Sequence, residues 1–251
     1  MSWLLHQKTP VNIAIFGASG GIAQGVISYF LQNLKHVNLH CISRKTAYQT
    51  YETTTHQTLT AYRVKDYDDD SLSTLSNKLE HMKFDLVFIA TGTLHDSNIQ
   101  PEKRIKNMTQ HSFEKIMHSN ALVPILIIKH MIGNMRKKSP AGICALGARV
   151  GSISDNQLGG WYSYRASKAA LVMMLKTLAI ETQRTHPDLR VCAIHPGTVD
   201  TDLSKPFQAN VEPHKLFSNA LAGEHIVNVI DSLNMKHSGQ QLAWDGSVVP
   251  Y

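Results

Sequence analysis

Apolar positions along this chain gather into short runs separated by longer, mixed stretches. Seven runs read as strands: 11–16, 37–42, 61–65, 84–90, 141–146, 189–194 and 240–244. Their near-continuous apolar character suits strands covered on both faces, as in a parallel sheet. Helical periodicity fills the intervals. One amphipathic helix follows the first strand to about Leu34. Acids ahead of Leu72 and Leu75 mark a second helix start, where negative side chains meet the positive end of the helix dipole. Longer patterns run over about 111–137, 160–185 and 215–233. The threonine-rich stretch 46–60 reads as a short helix or turn, and 207–213 as a loop. Strands alternating with helices predict an α/β fold with a doubly wound, mostly parallel sheet. No repeat or linker divides the chain, so 1–251 is expected to form one domain.

The chain has 251 residues, 43% of them hydrophobic, enough for a sizeable core. The longest greasy run, 121–132, is interrupted by Pro124, Lys129 and His130 and is too short to span a bilayer. Residues 1–8 lack the pattern of a signal peptide, so a cytoplasmic location is expected, with no membrane partner. Cys41, Cys144 and Cys192 each lie in a strand-like run, which fits buried thiols better than disulfides or a metal site. The net charge of +6 resides partly in two short clusters, Lys103, Arg104 and Lys106, and Arg136, Lys137 and Lys138. With no interleaved aromatics they read as solvated helix ends, and no nucleic-acid partner is expected. The 14 histidines are scattered, and no metal site is expected.

Candidate chemistry begins directly after the first strand. Gly17, Ala18, Ser19, Gly20 and Gly21 form a glycine-rich turn that opens a helix. Glycines let backbone approach a pyrophosphate closely, and the helix N-terminus offers free N–H groups to phosphates. The second strand ends in Ser43, Arg44 and Lys45. An acid there would hold the ribose 2′-hydroxyl of NAD; a guanidinium suits the 2′-phosphate of NADP. NADP is therefore expected over NAD. Thr91 and Gly92 follow the fourth strand, small residues where backbone can approach a ligand.

Tyr164 and Lys168 stand four apart on a helical pattern, hence on one face. A neighbouring ammonium stabilises phenolate and lowers the tyrosine pKa. Chance alone supplies about half such a match, so the pair matters only beside a cofactor site. Asn120 and Pro124 both work against a plain helix interior, and a kink there frees a carbonyl that can hold water.

In their order along the chain these motifs resemble the short-chain dehydrogenase/reductase family of the 250-residue subtype. Residues 17–23 resemble its Gly-x-x-x-Gly-x-Gly turn, with Ala23 in the third glycine's place. Asp66 and Tyr67 stand where the family contacts adenine, and Ile89, Ala90, Thr91 and Gly92 where it carries Asn-Asn-Ala-Gly. Tyr164 and Lys168 match Tyr-x-x-x-Lys; Pro196, Gly197, Thr198, Val199, Asp200 and Thr201 match Pro-Gly-x-Val-x-Thr. The stretch from Arg149 to Lys168 is similar to the C-factor (C-signal) branch, related in turn to sniffer-type carbonyl reductases.

The resemblance implies a Rossmann-type single domain of about seven strands with helices on both faces. It implies that Gly17, Ser19, Gly20, Gly21, Ile22, Ser43, Arg44, Asp66, Tyr67, Ala90, Thr91, Gly92, Pro196, Gly197, Val199 and Thr201 line the cofactor. Tyr164 would give a proton to a carbonyl oxygen, and Lys168 would hold the nicotinamide ribose. Asn120 would keep a relay water, while Val199 and Thr201 would orient the carboxamide. The expected partner is a small carbonyl or alcohol substrate, and the expected assembly a homodimer or homotetramer. One departure stands out: Ala148 occupies the place of the family's substrate-binding serine. Ser152 is the expected substitute, with Ser154 behind it. A C-factor-like regulatory protein with little turnover is the alternative.

Overall fold

The computed structural model describes residues 2–7, 9–45 and 50–251. Six strands come first along the chain: β1 (Val11–Phe16), β2 (Val37–Ser43), β3 (Gln57–Arg63), β4 (Leu86–Ile89), β5 (Ala141–Leu146) and β6 (Leu189–His195). A two-strand pair follows, β7 (Thr198–Val199) with β8 (Leu216–Phe217). β9 (Gln240–Ala243) and β10 (Val248–Val249) complete the set. The main sheet has the order β3-β2-β1-β4-β5-β6-β9-β10. Its first seven strands are parallel, and β10 turns back antiparallel on β9. The expected seven parallel strands are present, and a short eighth closes the edge.

Successive strand residues feed opposite faces, as a pleated sheet requires. Ile13, Ile15, Leu39, Phe88, Cys144, Cys192 and Ile194 pack with α1 (Gly21–Asn33) and, late in the chain, α6 (Asn219–Ser232). Ala14, Phe16, Ile42, Val87, Ile89, Ile143 and Ala193 pack on the other face. There they meet α2 (Asp69–Lys78), α4 (Val123–Met131) and α5 (Tyr162–Thr182). Each fully buried aliphatic or phenyl side chain contributes roughly 1.5–3 kcal/mol. α1 and α6 cross at Gly25 and Gly223, where a Cβ on either would overlap backbone of the other helix.

Two boundaries differ clearly from the sequence reading. β3 begins at Gln57, inside the stretch read as helix or turn. Polar residues stand exposed along it (Thr58, Thr60, Arg63), as an edge strand allows, which hid it from an apolar-run criterion. Thr46 in that stretch lies outside the described residues. The last helix starts at Asn219, capped by the Ser218 side chain, because 3₁₀ turns and β8 occupy the residues before it.

The long third helix is composite: α3 (Gln110–Met117), one π turn (His118–Leu122), α4, and a 3₁₀ turn ending at Asn134. It runs for 25 residues, and an 18-residue window within it reaches a mean hydropathy of 1.3, so it has the length and composition of a membrane span, which the interrupted run 121–132 lacks. Its apolar side, Ile116, Val123, Ile127, Ile128 and Met131, is buried in the protein, as in the core helix of a soluble fold. The kink expected at Asn120 or Pro124 is the π turn, and it carries Asn120 inward.

Candidate active site

The strand order reverses between β1 and β4, and the crevice above their C-terminal ends is where doubly wound sheets take ligands. Gly17 leaves β1 at φ 76°, and its N–H meets the Ile42 carbonyl at 2.9 Å and the Tyr67 hydroxyl at 3.2 Å. A Cβ there would stand 3.0 Å from the carbonyl of Ala90, so the two turns close on each other only because residue 17 is glycine. α1 then starts with Gly20 as its N-cap, with no side-chain cap and no acid in its first turn. Its first N–H groups are thus uncommitted to side chains and face no competing charge. Thr91 Oγ1, in the loop after β4, is buried without a partner among the described residues. These features fit a dinucleotide whose pyrophosphate lies on α1.

Other expected contacts divide by geometry. Arg44 is exposed at the end of β2, with its guanidinium 4.0 Å from Asp66 and 5.9 Å from the Tyr67 ring centroid. Tyr67 is buried against Phe16, and its N–H is held by the Asp66 carboxylate at 2.8 Å. Ser43 is different: it is buried, and its hydroxyl donates to the Lys45 carbonyl. Ser19 holds the Gln24 side chain with its carbonyl, and Ile22 packs inward on the core. Gly197 (φ 78°) follows buried Pro196 and turns the chain into β7; a Cβ there would meet Phe217 at 2.5 Å. β7 buries Val199, whose carbonyl accepts the Thr201 hydroxyl at 3.4 Å.

Around Lys168 the structure brings three expected residues together. A Cβ on Gly92 would lie 3.4 Å from Asn120 Oδ1 and 3.6 Å from Lys168 Nζ. Asn120 is fully buried; it accepts the Thr93 N–H at 2.7 Å and donates to the Thr93 carbonyl and Ser167 hydroxyl. This clamp joins the β4 loop to α5. Lys168 Nζ donates to the Leu146 carbonyl at 2.7 Å and lies 5.9 Å from the Tyr164 ring centroid. Gly151 lets the loop after β5 lie on Lys168, since a Cβ there would stand 2.7 Å from the Lys168 Cβ.

The electrostatics differ from the expectation that Lys168 lowers the Tyr164 pKa. Burial pushes the Tyr164 phenol up to about 12 and the Lys168 ammonium down to about 8. Removing water from each charged form outweighs their attraction here. The phenol is protonated at neutral pH, as any tyrosine is, and in the unliganded site it is a weaker acid than an ordinary tyrosine.

The serine question is partly resolved by hydrogen bonds. Ser154 is exposed, and its hydroxyl donates to the Tyr251 carbonyl at 2.6 Å. Ser152 is buried next to Gly151; its oxygen accepts the Asp155 N–H at 3.2 Å, which leaves its proton to donate. Ala148, at the expected serine position, is buried and has no hydroxyl.

Further residues, from three separate segments, frame the other side. Gly159, Gly160 and Trp161 are all left-handed, with φ of 64°, 65° and 53°. For a tryptophan that backbone costs roughly 1–2 kcal/mol. The Trp161 ring meets Tyr164 edge-on at 6.0 Å and Phe207 at 5.0 Å, and His95 meets Phe207 at 5.6 Å. Glu102 is buried beneath them at the start of α5. The adjacent glycines were the one sequence signal for this turn; a buried acid in a polar loop leaves none.

Comparisons with known proteins bear on the family and the fold. A family model for short chain dehydrogenases matches residues 11–212. The C-signal protein of Myxococcus xanthus is 32% identical over 133 residues, covering 53% of this chain and 74% of that protein. The 1-hydroxy-2-glutathionyl-2-methyl-3-butene dehydrogenase of Rhodococcus sp. (strain AD45) is 28% identical over 184 residues, covering 72% and 76%. In fold, the chain is similar to the carbonyl reductase Sniffer of Drosophila melanogaster (TM-score 0.74, 21% identity, 96% of this chain and 99% of that one). It is equally similar to an NADPH-bound carbonyl reductase from chicken fatty liver (TM-score 0.76, 22% identity, 96% and 98%). With the model match spanning most of its length, the chain belongs to the short-chain dehydrogenase family of NAD(P)-dependent oxidoreductases.

Proposed function

We propose that this protein is an NADPH-dependent reductase of small aldehydes, ketones or quinones, working as one unit from 1 to 251. The observation that carries the reading is the meeting of Gly92, Asn120 and Lys168 beside Tyr164, at the crevice of the glycine turn. When bound, NADPH supplies hydride to the carbonyl carbon. The Tyr164 hydroxyl gives its proton to the carbonyl oxygen as negative charge develops there. Lys168 holds the nicotinamide ribose and adds positive charge next to the phenol. A backbone carbonyl of the π turn that carries Asn120 would hold the water that returns the proton. Ser152 donates to the substrate carbonyl in place of the hydroxyl missing at Ala148. Val199 and Thr201 orient the carboxamide. The exposed Arg44 guanidinium, already drawn toward Asp66 and Tyr67, takes the 2′-phosphate and sets the preference for NADP.

Oligomerisation belongs to the same reading. Met173 and Ile180 on α5 and Leu122 on the π turn are exposed apolar residues that suit contact with a second copy.

NADPH consumption with a panel of aldehydes, ketones and quinones tests the proposal. Activity is expected in the wild type and a loss of at least about 10³-fold in Tyr164→Phe, with NADPH binding retained. NADPH binding without turnover of any panel member favours the alternative, a C-signal-like regulatory role. That alternative draws on Ala148 and on the similarity to C-signal.

A further inference from the structure

Glu102 makes contacts that no catalytic role requires. It lies in the loop between β4 and α3, yet its carboxylate is buried at the first turn of α5. One oxygen accepts the Ser163 N–H at 3.2 Å, and the other accepts the Ser163 hydroxyl. Its own backbone carbonyl accepts the Trp161 N–H at 2.5 Å. A carboxylate at this place satisfies otherwise unpaired N–H groups and opposes the positive end of the helix dipole. The same residue therefore grips the chain on both sides of Tyr162, just ahead of Tyr164.

That grip is what the left-handed backbone needs. Trp161 has no conformational reason to sit at φ 53°, so the surroundings must over-determine it. Arg165 assists from the other side, donating to the carbonyls of Gly160, Gly159 and Val150. The result is a half-buried indole set edge-on to Tyr164 and against Phe207. Phe207 is held in turn through His95, whose Nε2 is 3.2 Å from the carbonyls of Asp202 and Leu203. Three separate segments thus converge on one apolar, ring-lined wall next to the proton donor. The indole and phenyl rings carry no charge, and flat apolar groups pack well on such faces.

We propose that Glu102 is a positioning residue that seats Trp161, and that the Trp161–Phe207 wall selects carbonyl compounds conjugated to a flat aromatic ring system. The proposal rests on the reductase reading for its substrate class but not for its geometry.

The test uses full-length protein carrying 5-fluorotryptophan. Its three tryptophans give three ¹⁹F signals, and Trp161→Phe identifies the relevant one. In the wild type, 9,10-phenanthrenequinone is expected to shift the Trp161 signal, and butanedione to leave it in place. Glu102→Ala is expected to move that signal while those of Trp3 and Trp244 stay put. It is expected to raise the quinone KM about tenfold with kcat within about threefold, and to leave the butanedione KM unchanged. Glu102→Gln, which keeps an acceptor for Ser163, should recover most of the difference; if the alanine variant fails to fold, it carries the comparison with a smaller shift. An unmoved Trp161 signal in Glu102→Ala, or an equal loss of kcat/KM for both substrates, overturns the proposal. So does a wild-type Trp161 signal insensitive to the quinone. If the wild type reduces neither compound but the quinone still shifts Trp161, and does so about tenfold more weakly in Glu102→Ala, the wall stands and the reductase reading falls.

Discussion

The glycine turn after β1 and the glycine pair before α5 both carry backbone through the left-handed region, to different ends. At Gly17 the reason is local: the turn must pass within 3.0 Å of the Ala90 carbonyl, and no side chain fits. At 159–161 there is open space around Gly159, and the conformation is imposed from afar by Glu102 and Arg165. The cofactor half of the crevice is thus a backbone construction, while the substrate half is assembled by side chains from distant loops. A backbone site tolerates many ligands that share a pyrophosphate. A side-chain site is where one member of the family is made to differ from another.

The proposed donor in the substrate half offers the sharpest division between them. Ser152→Ala is expected to lower kcat by roughly 10²-fold while leaving NADPH affinity unchanged. If kcat holds, Ser152 is only the turn residue that its bond to the Asp155 N–H makes it, and the substrate half lacks a second donor. The reverse pattern belongs to the cofactor half. Arg44→Ala is expected to weaken NADPH about tenfold or more, the worth of one charge-assisted contact, and to leave NADH binding nearly unchanged. Titration of both dinucleotides at moderate salt decides it, and equal losses for the two remove Arg44 from phosphate recognition.

A smaller effect links the halves through Lys168. The ammonium is the form that serves the phenol and the ribose, and burial holds its pKa near 8. Turnover is therefore expected to decline as pH rises past about 8, where the folded protein releases that proton. The stability sign is opposite. Between about 8 and the ordinary value of 10.5 the unfolded chain holds a proton that the folded chain has lost, so this group's contribution to stability rises with pH. A pH–rate profile flat through this range, measured beside thermal unfolding in the same buffers, would contradict the assignment.

The same contrast explains what was legible in the sequence. The strands and the parallel character of the sheet were legible as apolar runs, because β1, β2, β5 and β6 are buried on both sides. β3 was half missed because an edge strand keeps polar residues. Gly17, Gly92, Tyr164 and Lys168 stand at the ends of regular elements, where position along the chain fixes position in space. Asn120 was legible as a helix fault, which became a π turn. Glu102, Trp161 and His95 were not, since their contacts join residues some 50 to 110 apart in the chain and no local pattern announces them. The electrostatic expectation for Tyr164 failed for a related reason. Four-residue spacing placed the ammonium on the right face, but burial of both groups set the outcome.

Transfer of deuterium is the most direct measure of the central claim. Wild-type protein given nicotinamide-C4-deuterated NADPH and an aromatic carbonyl is predicted to yield an alcohol with one deuterium on the former carbonyl carbon. Tyr164→Phe is predicted to bind the same NADPH and to form almost none of that product. An unlabelled alcohol, or labelled product from the phenylalanine variant at the wild-type rate, would contradict the account.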